Sequence, residues 1–222
     1  GLRVNSAKDD AAGLAIAERM STQVRGMNVA IRNANDAISL AQTAEGALSK
    51  INDMGQRMRE LAVQSANATN NATDRESLDA EFQALSAEIK RNLEGTSFNG
   101  TKLFAALATM TFQVGANNAT TDQIAVVTAN LTTETSMTGI LGGGAGGGGA
   151  AAADIKDVGK SREALDKLDK MLATVNAKRA EFGATQNRFE AVIQTLQVSA
   201  ENQTAARSRI MDADFASETA AL

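Results

Sequence analysis

Apolar residues recur every three or four positions over long stretches of this chain. In the first half the steps average about 3.5 residues, which is the period of a coiled-coil seam. The members of this seam are Ile16, Met20, Val24, Met27, Ile31, Ala34, Ile38, Ala41, Ala44, Leu48, Ile51, Met54, Met58 and Leu61. The pattern predicts a first helix over about residues 9–66, roughly 85 Å long at about 1.5 Å per residue. A helix of that length needs partners along it.

A polar stretch at residues 67–73 separates the first helix from a second one, predicted over about residues 74–94. Ser6 with Asp9, and Thr73 with Glu76, have the spacing of capping boxes and are predicted to begin these two helices. One face of the second helix carries its apolar residues at helical spacing. They are Leu78, Phe82, Leu85, Ile89 and Leu93.

A β region is predicted over about residues 98–130. Asn99–Gly100 is a hairpin-turn signal, and short strands at residues 112–115 and 124–127 flank a polar loop. Residues 141–153 are rich in Gly and Ala, a composition typical of a flexible linker. This linker is either a short natural loop or the splice left where a larger outer domain was removed.

A third helix is predicted over about residues 160–214, with a seam whose steps alternate three and four. Polar seam members weaken the pairing but fix its register, and Gly183 is interpreted as a close-packing point. The fold class is therefore mainly α: an elongated antiparallel bundle of three long helices with coiled-coil seams, plus a small β-hairpin region. The third seam is Leu165, Leu168, Leu172, Val175, Arg179, Phe182, Gln186, Phe189, Ile193, Leu196, Ala200, Gln203, Arg207 and Ile210.

Composition excludes several functional classes. The 222 residues contain no Cys and no His, so a thiol nucleophile and the commonest general base and metal ligand are absent. A net charge of -4 argues against nucleic acid as a partner, and no apolar run is long enough to predict a membrane span. No enzyme activity and no cofactor are predicted. The absence of Pro permits very long helices.

Two weak chemical signals have simpler explanations. Gly159–Lys160–Ser161 resembles the end of a phosphate-binding loop, but Asp154 stands where that motif requires its first glycine. The pairs Asp9–Asp10 and Asp212–Asp214 are better explained by helix capping and solvation than by a metal site.

Motifs along the chain, in order, closely resemble the signatures of bacterial flagellins. They are GLRVNSAKDDAAG at residues 1–13, QRMRELAVQSAN at 56–67, FNG at 98–100 with FQVGAN at 112–117, and NRF at 187–189 with ARSRIMDADFASE at 206–218. The resemblance covers nearly the whole chain except about residues 128–160. The order of these motifs along the chain makes the resemblance specific.

The resemblance implies a filament subunit. It implies a rod-like domain that assembles with copies of itself into the propeller filament, aided by an export chaperone and a cap protein. It also implies an extracellular location after export through the flagellar type III apparatus. The start at Gly1 and the lack of further terminal helices predict a chain cut at its ends, which should not polymerise normally. Outer variable domains would be inserted at residues 141–153.

The resemblance implies a second role, recognition by the innate immune receptor Toll-like receptor 5. Transferred position by position, the receptor-binding residues would be Gln56, Arg57, Glu60, Leu61, Gln64, Leu78 and Glu81. Arg57, Leu61 and Gln64 lie three or four residues apart and therefore share one side of a helix. Solvated charge is the ordinary alternative for the charged members, and Leu61 also belongs to the first seam.

Other functions remain open. A hook–filament junction protein shares the terminal signatures, although the intact motif at residues 56–67 favours flagellin. A signalling coiled coil, such as a chemoreceptor segment, would lack the hairpin near residues 112–127. An enzyme is the remaining alternative and has the least support.

Overall fold

The computed structural model describes residues 3–143 and 151–212. The helices are α1 (Ala11–Ser65), α2 (Ala72–Gly95), α3 (Thr135–Leu141) and α4 (Val158–Met211). Residues 1–2 and 213–218 of the terminal motifs, and residues 144–150 of the predicted linker, lie outside the described residues. α1 and α4 run for 55 and 54 residues without interruption, because no proline removes a backbone donor from either.

Short strands form the β region between α2 and α3. β1 (Ser97–Phe98) pairs antiparallel with β2 (Thr101–Lys102). Asn99 and Gly100 connect them at φ 47° and 80°, the left-handed backbone that a tight hairpin turn requires. β3 (Thr109–Gln113) pairs with β4 (Gln123–Val127). The N–H of Val114 donates to the carbonyl of Asp122, and the N–H of Thr128 donates to the carbonyl of Ala108. These hydrogen bonds close the two ends of the β3–β4 hairpin.

Helix α1 begins with a different cap from the predicted one. The carboxylate of Asp9 accepts the backbone N–H group of Ser6 and then that of Asn5. These hydrogen bonds close a turn before the helix and lower the pKa of Asp9, with Ser6 as the larger cause. Asp10 is the residue that caps α1, because its Oδ1 accepts the N–H of Gly13 at 2.8 Å.

The cap of α2 also differs from the prediction. Asn71 and Asp74 form the capping box, since each side chain accepts the backbone N–H of the other residue. Thr73 is already inside the helix, where its carbonyl oxygen accepts the Ser77 hydroxyl. The side chains of Asn71 and Asp74 satisfy each other's backbone N–H groups two residues earlier in the chain than Thr73 and Glu76 would. The helix therefore starts directly after Asn71.

Contacts divide the chain into two units. The first consists of Gly1–Ile38, Thr111–Ala125 and Asn187–Leu222. Inside it the ring of Phe112 meets that of Phe189 edge-on, with centroids 5.6 Å apart. Asn33 on α1 donates to the carbonyl of Gln113 at 2.9 Å. The end of β3 is thus held against a segment of each long helix.

The second unit consists of Ser39–Met110 and Val126–Gln186, and here α2 joins the two long helices. Arg59 on α1 pairs with Asp169 on α4, and Glu45 accepts from Gln186, so higher numbers on one helix meet lower numbers on the other. This antiparallel pairing and the small hairpins confirm the predicted fold class. Fully buried side chains in this unit include Leu40, Leu48, Ile51, Met58, Leu61, Phe82, Phe104, Ile89, Leu93, Leu168, Met171 and Val175.

Helix α3 was not predicted from the sequence. Its seven residues are rich in Thr, Ser and Gly, which have weak intrinsic helix propensity. Met137 and Ile140 are completely buried. Tertiary burial therefore stabilises a helix that local preference does not favour.

Glycines in the long helices have unequal surroundings. A Cβ on Gly26 would lie 2.7 Å from the Cβ and 3.1 Å from the Cα of Ala116, whereas no described atom lies within 4 Å of such a Cβ on Gly46. The prediction for Gly183 is wrong. A Cβ there would likewise meet nothing within 4 Å, so Gly183 is not a close-packing point.

This contrast yields a prediction for two substitutions in one helix. Gly46→Ala should raise the free energy of unfolding by about 1 kcal/mol, because Ala is the better helix former and meets no obstacle. Gly26→Ala should lower it by about 1–3 kcal/mol, since the new methyl displaces the backbone of Ala116. Chemical denaturation monitored by circular dichroism measures both. Equal stabilisation by the two substitutions would contradict this account.

Candidate functional site

The side chain of Arg57 joins α1 to α2 on the surface of the second unit. Its Nε donates to Glu81 Oε1 on α2 at 2.9 Å, and its Nη1 donates to Glu60 Oε2 at 3.0 Å. Glu60 lies three residues along α1, and this spacing brings it to the same side of the helix. One guanidinium therefore bridges two carboxylates from different helices.

These hydrogen bonds raise the pKa of Arg57, with Glu81 as the larger cause and Glu60 as the second. An arginine guanidinium is charged at every physiological pH even without this shift. About half of the Arg57 and Glu81 side-chain surfaces remains exposed, and Glu60 is more exposed still. Exposed ion pairs contribute little to stability, so the cluster has polar groups available for a partner.

The other predicted binding residues occupy different environments. Gln56 and Gln64 are exposed on α1, and Leu78 is half-buried on α2. Leu61 is only 1% exposed and belongs to the core. The structure therefore brings the polar members onto one accessible surface, while Leu61 supports that surface from below.

A shallow groove of about 300 Å³ adjoins this cluster. It is lined by Gln56, Arg59, Glu60, Val63 and Gln64. Val63 is 51% exposed, and Arg59 is held by Asp169 of α4 at 2.7 Å. Neither residue was among those predicted. Their sequence spacing could have indicated them, because Val63 lies three positions after Glu60 and four positions after Arg59, on the same side of the helix.

The chemistry of this surface is that of recognition. It offers hydrogen-bond donors, acceptors and one exposed apolar side chain, a combination typical of interaction hot spots when Arg is present. Within residues 3–143 and 151–212, no group of three or more His, Cys, Asp or Glu is placed to hold a metal ion. No helix in the described part of the chain is long and apolar enough to cross a membrane.

Family models match both ends of the chain. The model described as the bacterial flagellin N-terminal helical region matches residues 1–109. The model described as the bacterial flagellin C-terminal helical region matches residues 165–222. Together they cover more than half of the sequence.

Curated relatives resemble the chain over almost its entire length. A flagellin of Halalkalibacterium halodurans is 44% identical over 220 residues, spanning 98% of this chain and 76% of that protein. The flagellar filament 33 kDa core protein of Treponema phagedenis is 39% identical, spanning 98% and 77%. Flagellin A of Vibrio anguillarum is 34% identical over 313 residues, which span 99% of this chain and 83% of that protein. Since this chain has 222 residues, that relative carries additional residues within the matched span.

Solved structures share the fold. The crystal structure of Bacillus cereus flagellin matches with a TM-score of 0.62 and 31% identity, covering 79% of this chain and 94% of that one. A putative flagellar hook-associated protein from Vibrio parahaemolyticus matches with a TM-score of 0.72, covering 92% and 100%. Its identity is only 13%, so that likeness concerns the fold alone.

The burial of Leu61 predicts a sharp contrast with its neighbour Val63. Leu61→Ala should lower the free energy of unfolding by about 2–5 kcal/mol, because it leaves a cavity between packed helices. Val63→Ala, at an exposed position on the same helix, should change it by about 0.5 kcal/mol or less. Thermal or chemical denaturation of the two variants distinguishes them. If Leu61→Ala were as mild as Val63→Ala, Leu61 would not be a core residue.

Proposed function

The chain belongs to the bacterial flagellin family, and from this premise we propose that the surface around Arg57 is recognised by Toll-like receptor 5. Membership makes the chain a structural subunit of the flagellar filament, which forms by self-polymerisation, rather than an enzyme. Receptor recognition is a further step, and its support lies in the geometry of α1 and α2.

The bridge from Arg57 to Glu81 is the observation that carries this proposal. The resemblance assigns receptor-binding residues to two separate stretches of sequence, 56–64 and 78–81. Arg57 hydrogen-bonds Glu81 across those stretches at 2.9 Å, so they form a single accessible patch. The guanidinium has five N–H donors in a fixed plane. With only part of its side chain covered, it can also bind acceptors of a receptor.

Exposure divides the implied residues into two roles. Gln56, Arg57, Glu60, Gln64 and Glu81 are exposed and are the proposed direct contacts. The buried Leu61 and the half-buried Leu78 are proposed to support the patch from beneath and not to contact the receptor through exposed surface. Val63 adds apolar surface at the edge of the patch.

Partners and location complete the proposal. The chain packs against copies of itself in a filament outside the cell, after export through the flagellar type III apparatus. An export chaperone and a cap protein serve it before and during assembly. The support for these partners and this location is the family resemblance alone, because no contact within the described residues bears on them.

Mutation of Arg57 and Glu81 tests receptor recognition directly. The double variant Arg57→Ala/Glu81→Ala should weaken binding to the purified receptor ectodomain by about tenfold or more, because hot-spot residues dominate interface energetics. Helicity and the unfolding midpoint should be retained, since exposed ion pairs stabilise weakly. Surface plasmon resonance and circular dichroism are the measurements.

Arg91→Ala is the matched control for this experiment. Arg91 is also an exposed arginine paired with a glutamate, Glu88, in the same unit. It lies outside the proposed patch. Binding unchanged in the double variant, or reduced equally by Arg91→Ala, would refute the assignment of the receptor surface.

Abundance distinguishes a filament subunit from the alternative, a hook–filament junction protein. A filament subunit should be the dominant protein in filaments sheared from the bacterial surface, because the filament contains thousands of copies. A junction protein should be a minor component. Quantitative mass spectrometry of sheared filaments makes the distinction, and scarcity of this protein would favour the junction role.

A further inference from the structure

A buried carboxylate lies where the chain enters α4, and neither filament membership nor receptor binding explains it. Asp79 of α2 is only 4% exposed. Its Oδ1 accepts the backbone N–H of Ile155 at 3.0 Å. The Gln83 amide donates to the same carboxylate oxygen at 3.2 Å and to the carbonyl of Ala153 at 2.8 Å. Two side chains of α2 therefore bind the backbone of residues 153–155.

Buried serines bind the same backbone from two other helices. The carbonyl of Ile155 accepts the hydroxyl of Ser65 at 2.5 Å. The Ser161 hydroxyl is shared between that carbonyl at 3.2 Å and the closer carbonyl of Asp157 at 2.7 Å. Both serines are completely buried. Ser65 is the last residue of α1, and Ser161 lies in the first turn of α4. The backbone of Ile155 is thus hydrogen-bonded to α1, α2 and α4.

This arrangement is more elaborate than packing alone requires. Taking a carboxylate out of water is expensive unless several donors surround it. Lys156 offers only a loose charge partner, with its Nζ 3.7 Å from Asp79, and Lys160 pairs instead with Asp154. An apolar side chain at position 79 would avoid the desolvation penalty, but it would leave the Ile155 N–H unpaired. The directional hydrogen bond is what the carboxylate provides.

We propose that Ser65, Asp79, Gln83 and Ser161 form a clamp that fixes the start of α4 independently of the connection preceding it. α4 is joined to α3 through the Gly/Ala-rich residues that follow Leu141. Without the clamp, the entropy of that connection would act directly on the first turn of α4 and would change with its length. With it, residues 153–155 are anchored to the helices themselves.

A hydrogen bond between the end of the connection and α3 supports this role of the clamp. The N–H of Ala153 donates to the carbonyl of Ile140 at 3.0 Å, which brings the chain back to α3 before it reaches the clamp. Relatives with additional residues in the matched span, such as the Vibrio anguillarum flagellin, show that chains of this family differ in length. A fixed boundary at α4 accommodates such differences without disturbing the helices.

Amide hydrogen exchange tests the anchoring itself. Asp79→Ala should raise the exchange rate of the Ile155 amide by about tenfold or more, because that amide loses its acceptor. Asp79→Asn retains an acceptor oxygen and should raise it by much less. Glu76→Ala removes the same charge from an exposed position on α2 and should leave the rate within about twofold. Equal exchange in Asp79→Ala and Glu76→Ala would overturn the clamp.

Lengthening the connection between α3 and α4 tests whether the clamp makes the start of α4 independent of that connection. Twenty Gly/Ser residues inserted between Gly143 and Ala151 should leave the exchange rate of the Ser161 amide, which donates to Asp157 in the first turn of α4, within about twofold in the parent chain. The same insertion should raise that exchange rate by about fivefold or more in the Asp79→Ala background. Should Asp79→Ala not fold, Gln83→Ala, which removes the hydrogen bond to Ala153, takes its place. An insertion that changes the Ser161 exchange rate equally with and without the clamp would refute the proposal. The readout is a backbone amide of α4 and not receptor binding, so this outcome is independent of the proposed function.

Discussion

Burial of apolar side chains of α1 and α4 within each unit is the interaction on which the other features of this protein depend. Helices of 55 and 54 residues gain most of their stability from packing. Small residues allow close approach, and a Cβ on Gly55 would lie within 3 Å of Met171 and Leu172. In the second unit α2 packs on this pair through Phe82, Ile89 and Leu93. The Arg57 patch and the α4 clamp both lie on elements positioned by that packing.

Recognition and stability are assigned to adjacent but different residues. Arg57, Glu60 and Glu81 interact in water, where an ion pair adds little to folding and its groups remain available. Leu61 lies next to Glu60 in sequence, yet it faces the core. The clamp is the opposite case, because Asp79, Ser65 and Ser161 are buried and their hydrogen bonds lie away from bulk water. The exposed polar groups are thus the ones proposed for recognition, whereas the buried ones bind the backbone inside the bundle.

Much of the fold could be predicted because the seams are long and regular. The predicted positions of caps were wrong because several residues near each helix start are good caps. Only the geometry decides between Ser6–Asp9 and Asp10, or between Thr73 and Asn71. α3 has no strong local signal and depends on the burial of Met137 and Ile140. Most polar members of the patch came from motif resemblance, whereas Val63 and Arg59 became evident only with their exposure and partners.

By itself, the sequence determined the helical class, the periods of the seams, the Asn99–Gly100 turn and the family. These are encoded in residues near one another along the chain, so local spacing and motif order suffice. Tertiary structure alone decided that Arg57 bridges to Glu81, that Leu61 is buried and that Asp79 binds the backbone of Ile155. Each of those facts joins residues from different elements, or depends on which side of a helix its neighbours cover. Neither can be read from a helical period, which orders residues around one helix without saying what packs against them.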